Sequence, residues 1–188
     1  MDDEDGYLKN KLLIAMPSLA DPYFSKAVIY VCEHNSQGAI GLIINQPLEQ
    51  SLSLVFEQMS LEVLAPKANL LPLLFGGPLQ PERGFVIHRP SGHWRSSIDL
   101  ENDVSVTTSN DIIKALAQGT GPGEAMVALG YAGWEGEQLD EEVKQNTWLT
   151  CPFDASILYD VPFEQRWQSA ANSIGIDLNL LSSDIGHA

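Results

Sequence analysis

The chain has 188 residues, enough for one domain with a sizeable buried core. Ten Lys and Arg stand against 25 Asp and Glu, a net charge of −15; such a field repels nucleic acid and offers few cations to replace phosphate counterions, so direct DNA or RNA contact is not expected. With 44% hydrophobic and 19% charged residues and only Cys32 and Cys151 as cysteines, the composition excludes a disordered chain, a disulfide scaffold and a Cys-rich zinc site. No apolar run approaches the ~20 residues that span a bilayer. Residues 1–6 carry four acids and no core candidate, and read as a disordered tail rather than a secretory signal. The expected setting is cytoplasmic, without membrane association.

Residues 11–15 form a short apolar strand ending at Met16-Pro17, and Asp21-Pro22 signals a turn. Residues 27–33 and 39–45, rich in Val and Ile, predict two strands. The five residues 34–38 between them suit a hairpin. Leu52, Val55, Phe56 and Met59 recur at helical spacing. Residues 60–69 read as a loop. Residues 71–75 and 85–88 read as strands around Gly76-Gly77-Pro78 and Pro81-Glu82-Arg83-Gly84. Short strands over 98–100 and 104–107 lead to a helix begun by Thr108 and Asp111 at capping-box spacing. Ile112, Ile113 and Leu116 give that helix its buried face, and Gly119 ends it.

The apolar run 125–129 is expected to break at Gly130-Tyr131-Ala132-Gly133-Trp134, where two glycines beside two large aromatics indicate close backbone approach. A helix then runs to about Gln145, with Leu139 and Val143 inward and Glu137, Asp140, Glu141 and Glu142 largely toward solvent. Residues 147–150 predict a strand and 155–159 a single helical turn. Residues 163–174 predict an amphipathic helix with Phe163, Trp167, Ala170 and Ile174 inward and Gly175 past its end. Residues 178–181 are expected to pack back on the body, with the last residues fraying. No linker or repeat divides the chain, so residues 7–188 are read as one domain. Strands in hairpins and between helices predict an α/β (α+β-like) fold, a mixed sheet flanked by helices.

Several stretches carry a resemblance. Gly130-Tyr131-Ala132-Gly133-Trp134, then Gln138-Leu139-x-Glu141-Glu142 and Asn146-x-Trp148-Leu149, resemble the YqgE/AlgH family of bacterial proteins. So do Met16-Pro17, Asp21-Pro22-x-Phe24, Glu33-His34-Asn35, the run from Gly38 to Asn45, Gly76-Gly77-Pro78 and Arg83-Gly84-Phe85-Val86-x-His88. The family usually has Asn-Arg-Pro where this chain has Asn45-Gln46-Pro47. The resemblance implies a partly barrel-like mixed sheet, no established catalytic residues, and a transcriptional-regulator label that some members carry.

Arg83, His88, Arg89, His93 and Arg95 fall within thirteen residues, opposed only by Glu82. Arg matches phosphate and carboxylate bidentately, so this is the candidate anion site; the plainer alternative is a solvated loop balancing an acidic surface. Cys32 and His34 share a strand face, but a hairpin mouth is a loose place for a nucleophile. Cys32 is expected in the core, with His34 and Asn35 serving the turn, and Cys151 is read as structural. The acids over 135–142 lack the spacing of a calcium loop and are read as solvated, while Gly119-Thr120-Gly121-Pro122-Gly123 is a helix stop rather than a phosphate loop. No metal or cofactor is expected. The function expected is a non-enzymatic regulatory or binding protein, working through a protein partner or small ligand and signalled by an exposed apolar surface. The alternative is a sensor or enzyme for a small anion or nucleotide, which requires residues 83–95 to converge in a pocket.

Overall fold

The computed structural model describes residues 7–183. The tail expected over residues 1–6 and the fraying expected at the C-terminal end, residues 184–188, lie outside them. The fold is a mixed α/β one, and its contacts gather into two compact units: residues up to 45 together with those from 132 onward, and residues 46–131.

The first unit is built on antiparallel strands. β1 (Lys11–Ala15) pairs on one side with β10 (Trp148–Pro152) and on the other with β2 (Val28–Asn35). β2 continues to β3 (Gly38–Ile43), and β3 pairs with residues 132–135 of β9 (Glu124–Glu135). Residues 12–15 and 28–31 are fully buried, which is why these strands read as unbroken apolar runs rather than as alternation. The hairpin is tighter than the five-residue connection expected. Pairing persists to Asn35 opposite Gly38 with a bulge between Val31 and Glu33, and the Asn35 carboxamide accepts the Gln37 N–H at 2.8 Å to close the turn. Among the described residues this unit carries α3 (Gln138–Lys144), α4 (Ala155–Tyr159), α5 (Arg166–Asn172) and α6 (Leu178–Ser183). The helix expected over 163–174 is shorter, because residues 163–165 form a 3₁₀ turn before α5 begins.

Arg166 was not expected inside, yet it is 3% exposed. Its guanidinium donates to the carbonyls of Val161 and Ile44 and lies 4.3 Å from the Phe163 ring centroid. Burial lowers its pKa to about 10.

The second unit holds a mixed sheet. β4 (Pro47–Ser51) pairs antiparallel with β5 (Pro72–Phe75), and β5 runs parallel to β9 with Leu73 opposite Val127. On its other side β9 pairs antiparallel with β6 (Leu79–Arg89), followed by β8 (Ser105–Thr107) and β7 (Ser97–Asp99). Residues 81–84, expected to precede the strand at 85–88, lie inside β6, where the register shifts between Leu79 and Gly84. Helices α1 (Leu52–Gln58) and α2 (Asn110–Gln118) supply Leu52, Phe56, Ile112 and Leu116 to a core with Leu73, Val86 and Val127. The expected capping box is absent: Ser109 occupies the N-cap position, and the Asp111 carboxylate takes the Ser109 hydroxyl instead. Gly119 closes α2 with φ 79°, as expected.

β9 does not break at Gly130 but passes through it with φ 75°. A Cβ there would stand 2.3 Å from the Gly77 carbonyl oxygen, and one on Gly76 2.3 Å from the Gly130 carbonyl oxygen. The two glycine motifs thus press main chain against main chain. Pro78 follows directly, ahead of β6.

Candidate functional site

The basic residues over 83–95 are dispersed by the alternation of β6, which sends Arg83 and Arg89 to one face and His88 to the other. The Arg83 guanidinium lies over the Phe85 ring, 5.2 Å from its centroid. Arg89 Nε donates to Glu124 at 2.5 Å. His93 and Arg95 are exposed on the loop after Pro90 and border an open depression with two acids, Asp99 and Asp111.

His88 is fully buried and its hydrogens can be placed from its partners. Nδ1 faces the Pro90 carbonyl oxygen at 3.0 Å, which can only accept, so Nδ1 carries the proton. Nε2 therefore accepts from the Thr107 hydroxyl at 2.7 Å, and Thr107 in turn accepts from Ser97 at 2.6 Å. Burial lowers the His88 pKa, overriding the opposite pull of the Pro90 carbonyl and of Asp99 and Asp103. A neutral, fully engaged imidazole offers nothing to an anion.

Residues of the acidic stretch are engaged where solvation was expected. Glu142 Oε2 accepts from both Trp134 Nε1 (2.7 Å) and Trp148 Nε1 (2.9 Å), and Oε1 accepts from Gln138 at 3.2 Å. The two indoles meet edge to face. His34 also does more than serve its turn. Nδ1 accepts the Leu8 N–H at 2.9 Å, which leaves the proton on Nε2, facing Asp140 at 3.3 Å. Asn45 pins the start of β2, accepting from Val28 N–H and donating to the Lys26 carbonyl. Tyr131 packs edge to face on Phe85 and takes a hydrogen bond from Gln80. Gly133 pairs with Ile40 in the β3–β9 ladder, and Glu33 stands beside the bulge of β2. These family-motif residues hold the fold together. Both cysteines are buried; burial raises the Cys151 thiol and pushes Cys32 up to about 12.

An apolar concavity of ligand size lies within the second unit. It encloses about 600 Å³, inside the range of small-molecule sites. Leu54 and Val55 from α1 and Met59 just past its end form one wall, with Val86, Val127 and Leu129 from the sheet and Ile113 from α2 opposite. Gly84 borders open space, since a Cβ on it would come no nearer than 4.0 Å to Leu129. Thr108, Ser109 and Asn110 supply a polar rim, and Glu82 is the one ionisable side chain among the described residues lining it. The sequence carried one clue to this cleft. Residues 52, 54, 55 and 56 are all apolar, more than one buried helix face can use, and Leu54 and Val55 are left partly exposed.

Comparison with known proteins places this geometry in a family. The model of the AlgH-like family (DUF179) matches residues 12–179. The chain belongs to the AlgH-like family. A UPF0301 protein of Legionella pneumophila (strain Lens) is 59% identical over 181 residues, covering 96% of this chain and 97% of its own. A UPF0301 protein of Thioalkalivibrio sulfidiphilus is 52% identical, covering 95% and 96%. The solution structure of the AlgH protein from Pseudomonas aeruginosa matches with a TM-score of 0.79 at 45% identity, covering both chains completely. A crystal structure of a Corynebacterium diphtheriae protein shares the fold at TM-score 0.73 and 19% identity, covering 97% of this chain and 94% of that one. The family is one of uncharacterised proteins. At Gln46, where the resemblance leads to an expectation of Arg, the carbonyl accepts the Phe75 N–H at 2.8 Å, a main-chain bond open to either residue. Among the described residues no helix is long and apolar enough to cross a membrane, and no group of three or more His, Cys, Asp or Glu is placed to hold a metal ion.

Proposed function

We propose that the protein is a non-enzymatic regulatory binding protein whose binding element is the apolar cleft of the second unit. The observation that carries this reading is the cleft itself: seven aliphatic or Met side chains from two helices and a sheet face a space sized for the apolar body of a small ligand. The regulatory part rests on the AlgH resemblance, and the net charge of −15 argues that any such role acts without direct DNA contact. Catalysis finds little support. The imidazole nitrogens of His34 and His88 are engaged within the protein, and both thiols are buried with raised pKa. The anion alternative at residues 83–95 loses its geometric support, since β6 turns His88 away from Arg83 and Arg89.

Nile red, an uncharged dye that brightens in apolar surroundings, tests the reading. Saturable, blue-shifted emission is expected with the native protein, and its loss with Leu54→Trp, which fills the cleft from a partly exposed position. Equal emission from both would move the dye elsewhere and defeat the assignment. Circular dichroism of the variant checks that it remains folded.

A further inference from the structure

The polar end of the cleft carries information about what enters it. We infer that the cleft takes an amphiphilic cation, a molecule with a short apolar body ending in an amine, guanidine or quaternary ammonium group. This rests on the reading above that the cleft is a ligand site. The walls supplied by Leu54, Met59, Ile113 and Leu129 fit the apolar body. At the rim stands Glu82, an exposed carboxylate with no cationic side chain beside it in the lining. Its sequence neighbour Arg83 is committed to the Phe85 ring.

The first turn of α2, which also borders the cleft, would ordinarily attract an anion. Here that place is already filled from within. Asp111 Oδ1 accepts the Ile112 N–H at 3.0 Å and the Ser109 hydroxyl at 2.5 Å, and Oδ2 accepts the Arg95 N–H at 2.9 Å. Burial alone would raise the Asp111 pKa; these hydrogen bonds and the Arg95 charge outweigh it and hold the carboxyl below its usual range. An incoming anion would thus meet a second negative charge at the helix start. The net charge of −15 adds a long-range field of the same sign. Thr108 and Asn110 also line the rim, and their side-chain oxygens can turn partial negative charge toward a cationic head.

The test uses three probes that share one eight-carbon tail, all below their aggregation concentrations: octyltrimethylammonium, octyl glucoside and octanoate. Each is titrated into the full-length labelled protein at 150 mM salt, following amide chemical shifts. The cation is expected to bind at least about fivefold more tightly than octanoate, with shifts centred on residues 54–59 and 107–113, the glucoside falling between. Glu82→Gln should shrink that ratio to about twofold or less while leaving glucoside binding unchanged. Leu54→Trp should abolish all three. Octanoate binding in the cleft as tightly as the cation, or a ratio unmoved by Glu82→Gln, would overturn the cation inference while leaving the cleft as a site. Silence of the cleft amides toward every probe would overturn both.

Discussion

The acidic stretch over residues 135–142 and the basic stretch over residues 83–95 are both dense in charge, and the fold uses them differently. In the first, Glu142 is the common acceptor of two indole N–H groups and Asp140 faces the buried His34, so two carboxylates became internal partners. In the second, the one residue taken deep inside is His88, which enters neutral, while Arg83 and Arg89 stay on the other face of the strand. A helix places residues three and four apart on one side, so Gln138 and Glu142 can act together. A strand separates neighbours by half a turn, so a compact basic cluster in sequence becomes two faces in space. Charge density along the chain therefore says little until the periodicity of the element is known.

This contrast can be broken by substitution. The largest effect is expected from Glu142→Ala, which orphans two part-buried indole donors and should cost about 2–3 kcal/mol in urea unfolding. Glu142→Gln keeps an acceptor oxygen and should cost roughly half as much. Next comes the pH dependence contributed by His88. Its folded pKa lies below the ordinary 6.5, so the unfolded chain takes up the proton first. Stability should then fall as pH drops below about 6.5 and level off below the folded value. His88→Leu should remove this component of the slope, and an unchanged slope would mean that the imidazole is not held neutral.

A smaller loss, about 1 kcal/mol, is expected from Asp140→Ala, which leaves the His34 Nε2–H without its carboxylate. Arg89→Ala should cost about 0.5 kcal/mol, because its ion pair with Glu124 is more than a third exposed on both sides. Arg83→Ala and Arg95→Ala should each fall within ~0.5 kcal/mol of the parent. A destabilisation by either as large as that of Glu142→Ala would erase the distinction between the two stretches.

Much of the scaffold was legible because burial writes itself into apolar periodicity. β2 and β3 announce themselves through runs of Val and Ile, and α2 through Ile112, Ile113 and Leu116 followed by Gly119. β4 was not legible, since Pro47-Leu-Glu-Gln-Ser51 has no strand-like pattern and is held by pairing to β5. The burial of Arg166 depends on carbonyls at Ile44 and Val161, one of them far away in sequence. The roles of Glu142 and Asp140 likewise depend on partners brought by other elements. Of the cleft only the surplus of apolar residues over 52–56 was legible, for a related reason: an absence of atoms is made by several elements at once, and no single stretch encodes it.

The paired glycines at Gly76 and Gly130 bear on how this sequence can drift. The nearest atom to each would-be Cβ is a carbonyl oxygen of the opposing main chain. Carbonyls are present whatever the residue, so no second mutation can make room by trimming a neighbour. Evolution therefore has no compensatory route at this crossing. Both positions are closed to gradual change, and any lineage that loses one glycine must rebuild the loop around it.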